Sequence, residues 1–316
     1  MMVKAATAAT RLEYTRNYLD WLAQKEIQKL NRTSDECATL ELWRQTMVQQ
    51  ITARIPRGQD ISVKKGLKSG QLKLLLKVID PSSPLNPWKD PFCRVRNELI
   101  IKSFLALGNR KGEALGLRTT DVKQGERTVE IHRRPDNPTD PRLRKPATKT
   151  LPRTLPLKDD LTRKTLDYTS KWRRRLRAAR KHHFLYVTRG GAPLSISALH
   201  RIFVDLRERV EGLPADLAAH VLRRTWNDEF SAQVDAKIEK LKGDKTLSTA
   251  MRDSMIIEIR AEEEAARRYA QGWRYGSKMP GLYSRRYIER RANEALLEMQ
   301  RTIFEGKPRE EDNGAK

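Results

Sequence analysis

LGNRKGEALGLRTTDV (107–122) is where one pattern of the chain gives way to another. Behind it, RVRNELIIKSFLAL (94–107) is a strongly apolar helix that Gly108 terminates, glycine being the residue that most readily takes the left-handed conformation at a helix end. Arg110 then opens a second short helix. Ahead of it the apolar period shortens from that of a helix to that of a strand. TVEIH (128–132) and KTLPRTLPL (149–157) read as strands, with a short one at Asp121 to Lys123 before them. Between them lies a basic loop broken by Pro135, Pro138, Pro141 and Pro146.

Helices return on both sides. Upstream, 9–31 reads as an amphipathic helix with Leu12, Leu19, Leu22 and Leu30 on one side. Thr33 and Glu36 make a capping-box spacing for a second helix, striped by Leu40, Trp43, Met47 and Ile51. PRGQDISVKKGLK (56–68) is a polar linker, after which Ser69 caps a short helix. Downstream, a helix is expected over 159–181, a buried strand FLYVT at 184–188, and a helix capped by Ser197. Further helices are expected near 216–234, 247–270 and 282–304. The expected organisation is a helical module at 1–58, a linker at 59–68, a main domain at 69–305 and a disordered tail at 306–316. A mostly α-helical α+β fold with one small antiparallel sheet fits this order; a doubly wound α/β fold does not.

Composition narrows the function. The chain has 316 residues and carries 64 Lys+Arg against 40 Asp+Glu, a net charge of +24. So basic a chain repels itself unless a polyanion is near, and nucleic acid is the usual one. No long apolar run suggests a membrane partner. Cys37 and Cys93 are too few and too far apart for a disulfide framework or a zinc knuckle. None of the five histidines has a metal-type spacing, so no metal or other cofactor is expected. The N-terminus lacks the apolar core of a secretory signal, and a cytoplasmic, nucleoid-associated protein is expected.

Four places carry residues suited to chemistry on a phosphate, each with an ordinary alternative. Arg110 offers a planar fork that matches two phosphate oxygens, or is a surface arginine in a turn. His220 and Arg223 in HVLRRT (220–225) share a helix face, or are a chance pair. Lys149 stands beside a hairpin loop, where most lysines are merely solvated. Tyr283 and Tyr287, in YAQGWRYGSKMPGLYSRRYIERRANEA (269–295), are two phenols four residues apart, as nucleophile or as core.

Taken together and in order, Arg, Lys on a hairpin, His-x-x-Arg, Gly-Trp and Tyr resemble the active-site series of the tyrosine-type site-specific recombinases, the phage integrase family. The resemblance runs from about residue 67 to 300 and is most specific in LGNRKGEALGLRTTDV. It implies an integrase-type catalytic domain, preceded here by a short helical DNA-clamping module. It implies that Arg110, Lys149, His220, Arg223, Trp273 and Tyr283 are catalytic, that Glu113 supports Arg110, and that Tyr287 is the next choice of nucleophile. The sequence departs from the pattern in carrying Arg224 where a histidine is usual. It also sets Trp273 fifty positions after Arg223, with KIEKLKGDKTLSTAM (237–251) read as an inserted turn and helix start.

The implied reaction is DNA cleavage and rejoining without metal, through a 3′-phosphotyrosine. Arg110 and Arg223, with His220 and the Trp273 indole, would stabilise charge on the phosphate. Lys149 would protonate the departing 5′ oxygen and Tyr283 would attack, with Arg285 and Arg286 favouring its phenolate. Arg142, Arg144 and Lys145 in the basic loop are read as contacts to DNA phosphates. Arg173, Arg174 and Arg177 in KWRRRLRAARK (171–181) are read either so or as a solvated face. Double-stranded DNA is the expected partner. A tetramer on DNA is implied by the resemblance, helped by ANEALLEMQRTIF (292–304), with accessory DNA-bending factors as further partners. The alternatives are a non-catalytic DNA-binding regulator on the same fold and a type IB topoisomerase.

Overall fold

The computed structural model describes residues 5–56, 65–134, 137–277, 279–281, 292–293, 295–297, 299–301 and 304. The chain divides into two compact units, Met1–Val63 and Lys64–Lys316.

The first unit is a pair of packed helices, α1 (Ala5–Ile27) and α2 (Asp35–Arg54). Ser34, and not Thr33, caps α2: its hydroxyl accepts from the Cys37 N–H at 3.2 Å. Arg44 joins the helices by an ion pair to Asp20 at 2.6 Å. The expected stripes are only partly covered. Leu22 and Trp43 are exposed, and so are Tyr14, Tyr18, Trp21 and Leu42.

The second unit is built around α4 (Pro91–Leu107). Asp90 caps it by accepting from Cys93 N–H at 2.9 Å, Pro91 sits where no intrahelical N–H is needed, and Gly108 ends it at φ 58°. Leu99, Ile100, Ile101 and Phe104 are almost wholly buried. Packed on α4 are α3 (Ser69–Ile79), α5 (Lys111–Gly116), α6 (Asp159–Asp167) and α8 (Ala219–Lys242). α3 is capped by Gln71 reaching back to the Lys68 N–H, not by Ser69. Residues 65–68, expected as linker, are docked: Gly66 N–H donates to Asp228 and Leu67 N–H to Thr225, both on α8.

The sheet has the order β1 (Val122–Lys123), β2 (Thr128–Ile131), β3 (Arg153–Pro156), all antiparallel. Val129 pairs with Leu155 and Ile131 with Arg153. β3 is shorter than KTLPRTLPL suggests, so Lys149 lies in the approach to the strand. Together with the helices the sheet makes the α+β fold expected.

Two expected elements are different in kind. The helix over 159–181 stops at Asp167, passes through a π turn at Tyr168–Trp172 and continues as single 3₁₀ turns, Arg173–Arg175 and Ala178–Lys181. The cause is Arg173, whose guanidinium turns inward onto the carbonyls of Phe184, Ala179 and His182. FLYVT forms no ladder and makes only isolated bridges, Arg118 to Phe184 and Val187 to Pro193. It is a buried connection whose apolar side chains fill the core, and Leu185 N–H bonds to the Leu117 carbonyl at 2.8 Å.

α7 (Ile196–Arg209) is capped by Ser195, which accepts from Ala198 N–H at 3.1 Å; Ser197 lies inside its first turn. α8 and α9 (Thr249–Gln271) form a long hairpin across the segment expected as an insertion. Buried Arg267 ties them, donating to Asn227 and Ser231 of α8 and pairing with Glu263. Among the described residues, no helix is long and apolar enough to cross a membrane.

A cationic cavity as candidate active site

Five separate segments of the second unit converge on one cavity of about 1610 Å³. Arg110, Lys149, His220, Arg223 and Trp273 all line it. Tyr283, with Tyr287, Arg285 and Arg286, lies outside the described residues.

Arg110 sits at the N-cap of α5. Its backbone N–H donates to Glu113 Oε2 at 2.7 Å, and its guanidinium is one-third exposed. The loop that ends in Lys149 lies directly on the first turn of α5. A Cβ at Gly112 would stand 2.2 Å from the Ala147 carbonyl oxygen, so only glycine permits this approach. Lys149 is exposed, while the next residue, Thr150, is buried and donates its hydroxyl to Glu113 Oε1.

His220 and Arg223 lie in the first turns of α8, one turn apart. His220 is exposed. Arg223 is 1% exposed, donates to the Gly108 carbonyl at 2.5 Å, and holds its guanidinium 5.6 Å from the centre of the Trp273 indole. Trp273 follows the end of α9, where Gly272 turns the chain at φ 61° and the Trp273 N–H closes onto the Arg268 carbonyl. The turn is pinned to the lysine loop by Leu151 N–H donating to the Gly272 carbonyl at 3.0 Å.

Glu113 is the junction of these segments. It is 3% exposed and pairs with Arg153 at 3.1 Å. Burial pushes its carboxyl up, but the Arg153 charge and hydrogen bonds, the Thr150 hydroxyl and the Arg110 N–H outweigh that and hold it below the ordinary carboxylate range.

The cavity is built for an anion. Among the described residues that line it are Arg110, Lys111, Arg142, Arg144, Lys145, Lys149, Arg223 and Arg274, and no carboxylate. The N-termini of α5, α7 and α8 open onto it, presenting the positive ends of three helices. No group of three or more His, Cys, Asp or Glu among the described residues is placed to hold a metal ion.

The cations expected to touch DNA separate into two kinds. Arg144 and Lys145 are exposed at the cavity, and Arg174 and Arg177 are exposed on the turns after α6. Arg142 and Arg173, expected among the DNA contacts, are instead buried. Arg142 is 8% exposed, pairs with Asp140 at 2.7 Å, donates to the Leu115 and Leu194 carbonyls, and lies over the Phe184 ring. Arg173 is equally buried and holds carbonyls of its own loop. Both donate to buried carbonyls that need partners, although Arg142 also lines the cavity.

Four residues at the site escape a reading by motif. Arg153 is one. Tyr275 lines the cavity, is 93% exposed, and lies under the Arg268 guanidinium. Asn109 and Gln271, both buried, have side-chain amides without a hydrogen-bond partner among the described residues. Leaving such a group unsatisfied costs about 1–3 kcal/mol, and Asn109 also lines the cavity, next to Arg110 in the chain.

A fold of helices around a small sheet, with a cavity of arginines, lysine, histidine and tryptophan, defines the tyrosine recombinase class. The phage integrase family model matches residues 67–252, and the chain belongs to that family. Among solved structures, the XerA recombinase shares 16% identity, with 94% of this chain and 83% of that chain covered and a TM-score of 0.46. XerH bound to its palindromic difH substrate in a post-cleavage complex shares 17%, covering 79% of this chain and 56% of that one, with a TM-score of 0.49. The Tn1549 transposon integrase in complex with a circular intermediate DNA shares 14%, covering 87% and 85%, with a TM-score of 0.44. A search of curated proteins finds no match.

Proposed function

We propose that this tyrosine recombinase cuts and rejoins duplex DNA at a defined pair of sites, through a covalent 3′-phosphotyrosine on Tyr283. The observation that carries the reading is the common cavity of Arg110, Lys149, His220, Arg223 and Trp273, free of carboxylates among its described residues.

The scissile phosphate lies between Arg110 and Arg223, whose forks gain strength as charge builds on the non-bridging oxygens. His220 and the Trp273 indole add hydrogen bonds. The Tyr283 phenolate oxygen bonds to phosphorus, the bond to the 5′ oxygen breaks, and Lys149 delivers a proton to that oxygen. Rejoining runs the same steps backwards, so the strand is resealed without a nucleotide triphosphate. Exposed Arg144, Lys145, Arg174 and Arg177 contact phosphates and set position without reading bases. Several protomers assemble on the DNA, tetramers by family resemblance. Leu296, Leu297, Met299 and Phe304, all exposed, supply apolar surface for it.

The test is covalent trapping on a random-sequence duplex library, with sequencing of the attached strands. One recurring sequence is expected. Attachment at every sequence would indicate relaxation of the topoisomerase kind, and binding without attachment would contradict the reading.

A further inference from the structure

Arg153 is a cation on the buried face of a strand. It is flanked on that face by Leu155 and paired across the sheet with Ile131. Its guanidinium is distributed over three segments. It donates to both Glu113 oxygens on α5, at 3.1 and 3.3 Å. It donates to the Thr150 hydroxyl and the Leu151 carbonyl in the lysine loop, at 3.3 and 3.4 Å. Its Nε–H donates to the Ala270 carbonyl at the end of α9, at 2.7 Å. Those segments carry Arg110, Lys149 and Trp273. Gly272 leaves the space: a Cβ there would lie 2.6 Å from Arg153 Nη1.

A guanidinium is planar, and its donors point in fixed directions, so partners on three segments are fixed relative to one another. We infer that Arg153 is a positioning residue for strand cleavage, setting Lys149 and the Trp273 turn against Arg110 through Glu113, Thr150 and the carbonyls of Leu151 and Ala270. Its side chain is 1% exposed and, unlike Arg223, is not among the residues that line the cavity. The inference rests on the role proposed above for Lys149 as the acid that protonates the departing 5′ oxygen.

That role can be bypassed. In DNA with a bridging sulfur at the 5′ position, the leaving thiolate departs without a proton, and a misplaced lysine no longer matters. The full-length Arg153→Gln and Arg153→Lys variants are compared with wild type on both substrates, with thermal melting and DNA affinity measured for each. Arg153→Gln is expected to bind DNA as wild type does and to cleave ordinary DNA about 10²-fold more slowly, the lower end of what a general acid supplies. Most of that deficit disappears on the bridging-sulfur substrate, and Arg153→Lys falls between. An equal deficit on both substrates, or none on either, would overturn the inference. Arg153→Lys keeps the charge that buried Glu113 requires and carries the test if Arg153→Gln does not fold. Wild type inert on both substrates would instead defeat the proposed function, and a Lys149→Ala variant not rescued by sulfur would defeat the acid role given to Lys149.

Discussion

Glu113 and Arg153 stand forty positions apart in sequence and form one buried ion pair in space. A carboxylate held below its ordinary range stabilises the fold above its unfolded value of 4.5, and that contribution is lost as pH falls through the lower folded value. Urea midpoints of wild type should therefore drop as pH is lowered below about 4.5, and those of Glu113→Gln should drop less over the same window. Near neutrality Glu113→Gln should be less stable than wild type by about 3–5 kcal/mol, because Arg153 is left buried without its counter-ion. The choice of nucleophile belongs to this scale too. Tyr275 is exposed at the cavity, nearer Trp273 in the chain than Tyr283 is. Tyr275→Phe is expected to keep covalent attachment to DNA and Tyr283→Phe to lose it, with equal DNA affinity in both; the reverse pattern would exchange their roles. Arg153 had a legible signal that a motif reading passes over. In KTLPRTLPL it shares the parity of Leu155 and Leu157, and a charge on an apolar face requires a buried partner.

The elements that sequence reveals well are those whose own side chains decide them. α7 has a regular stripe of Leu199, Ile202, Phe203 and Leu206, all buried, and β2 alternates as a strand should. The segment after α6 is opaque for the opposite reason. Its course depends on where Arg173 finds acceptors, and those are carbonyls on FLYVT and its approach, far from any local periodicity. The cations of KWRRRLRAARK consequently do different jobs, and substitution separates them. Arg173→Gln should lower the melting temperature and leave the salt dependence of DNA binding unchanged. Arg174→Gln with Arg177→Gln should leave melting unchanged and reduce the slope of log affinity against log salt by up to about 2, one for each phosphate no longer neutralised. Equal effects from both changes would remove the distinction between buried and exposed arginines in this segment.

At the scale of the whole molecule, a net charge of +24 is a statement about partners more than about fold. A protein that neutralises roughly six to ten phosphates binds duplex about 10³–10⁵-fold more weakly at 200 mM salt than at 50 mM. A filter-binding series in that range is expected to show such a fall, and a flat response would leave the cationic cavity without its ligand. The ordered series of Arg, Lys, His-x-x-Arg and Trp was legible because each residue lies in a short local motif. That they face one cavity was not, because it depends on glycines at 112 and 272 that let backbones touch, and on a helical hairpin that carries the chain out along α8 and back along α9. The claim on which the function depends is a phenol in that cavity taking the DNA strand. A trapped protein–DNA adduct, digested and sequenced by mass spectrometry, tests it most directly. A 3′-phosphate joined to Tyr283 is the predicted result; attachment through Tyr275, through Tyr287 or through a 5′-phosphate would contradict it.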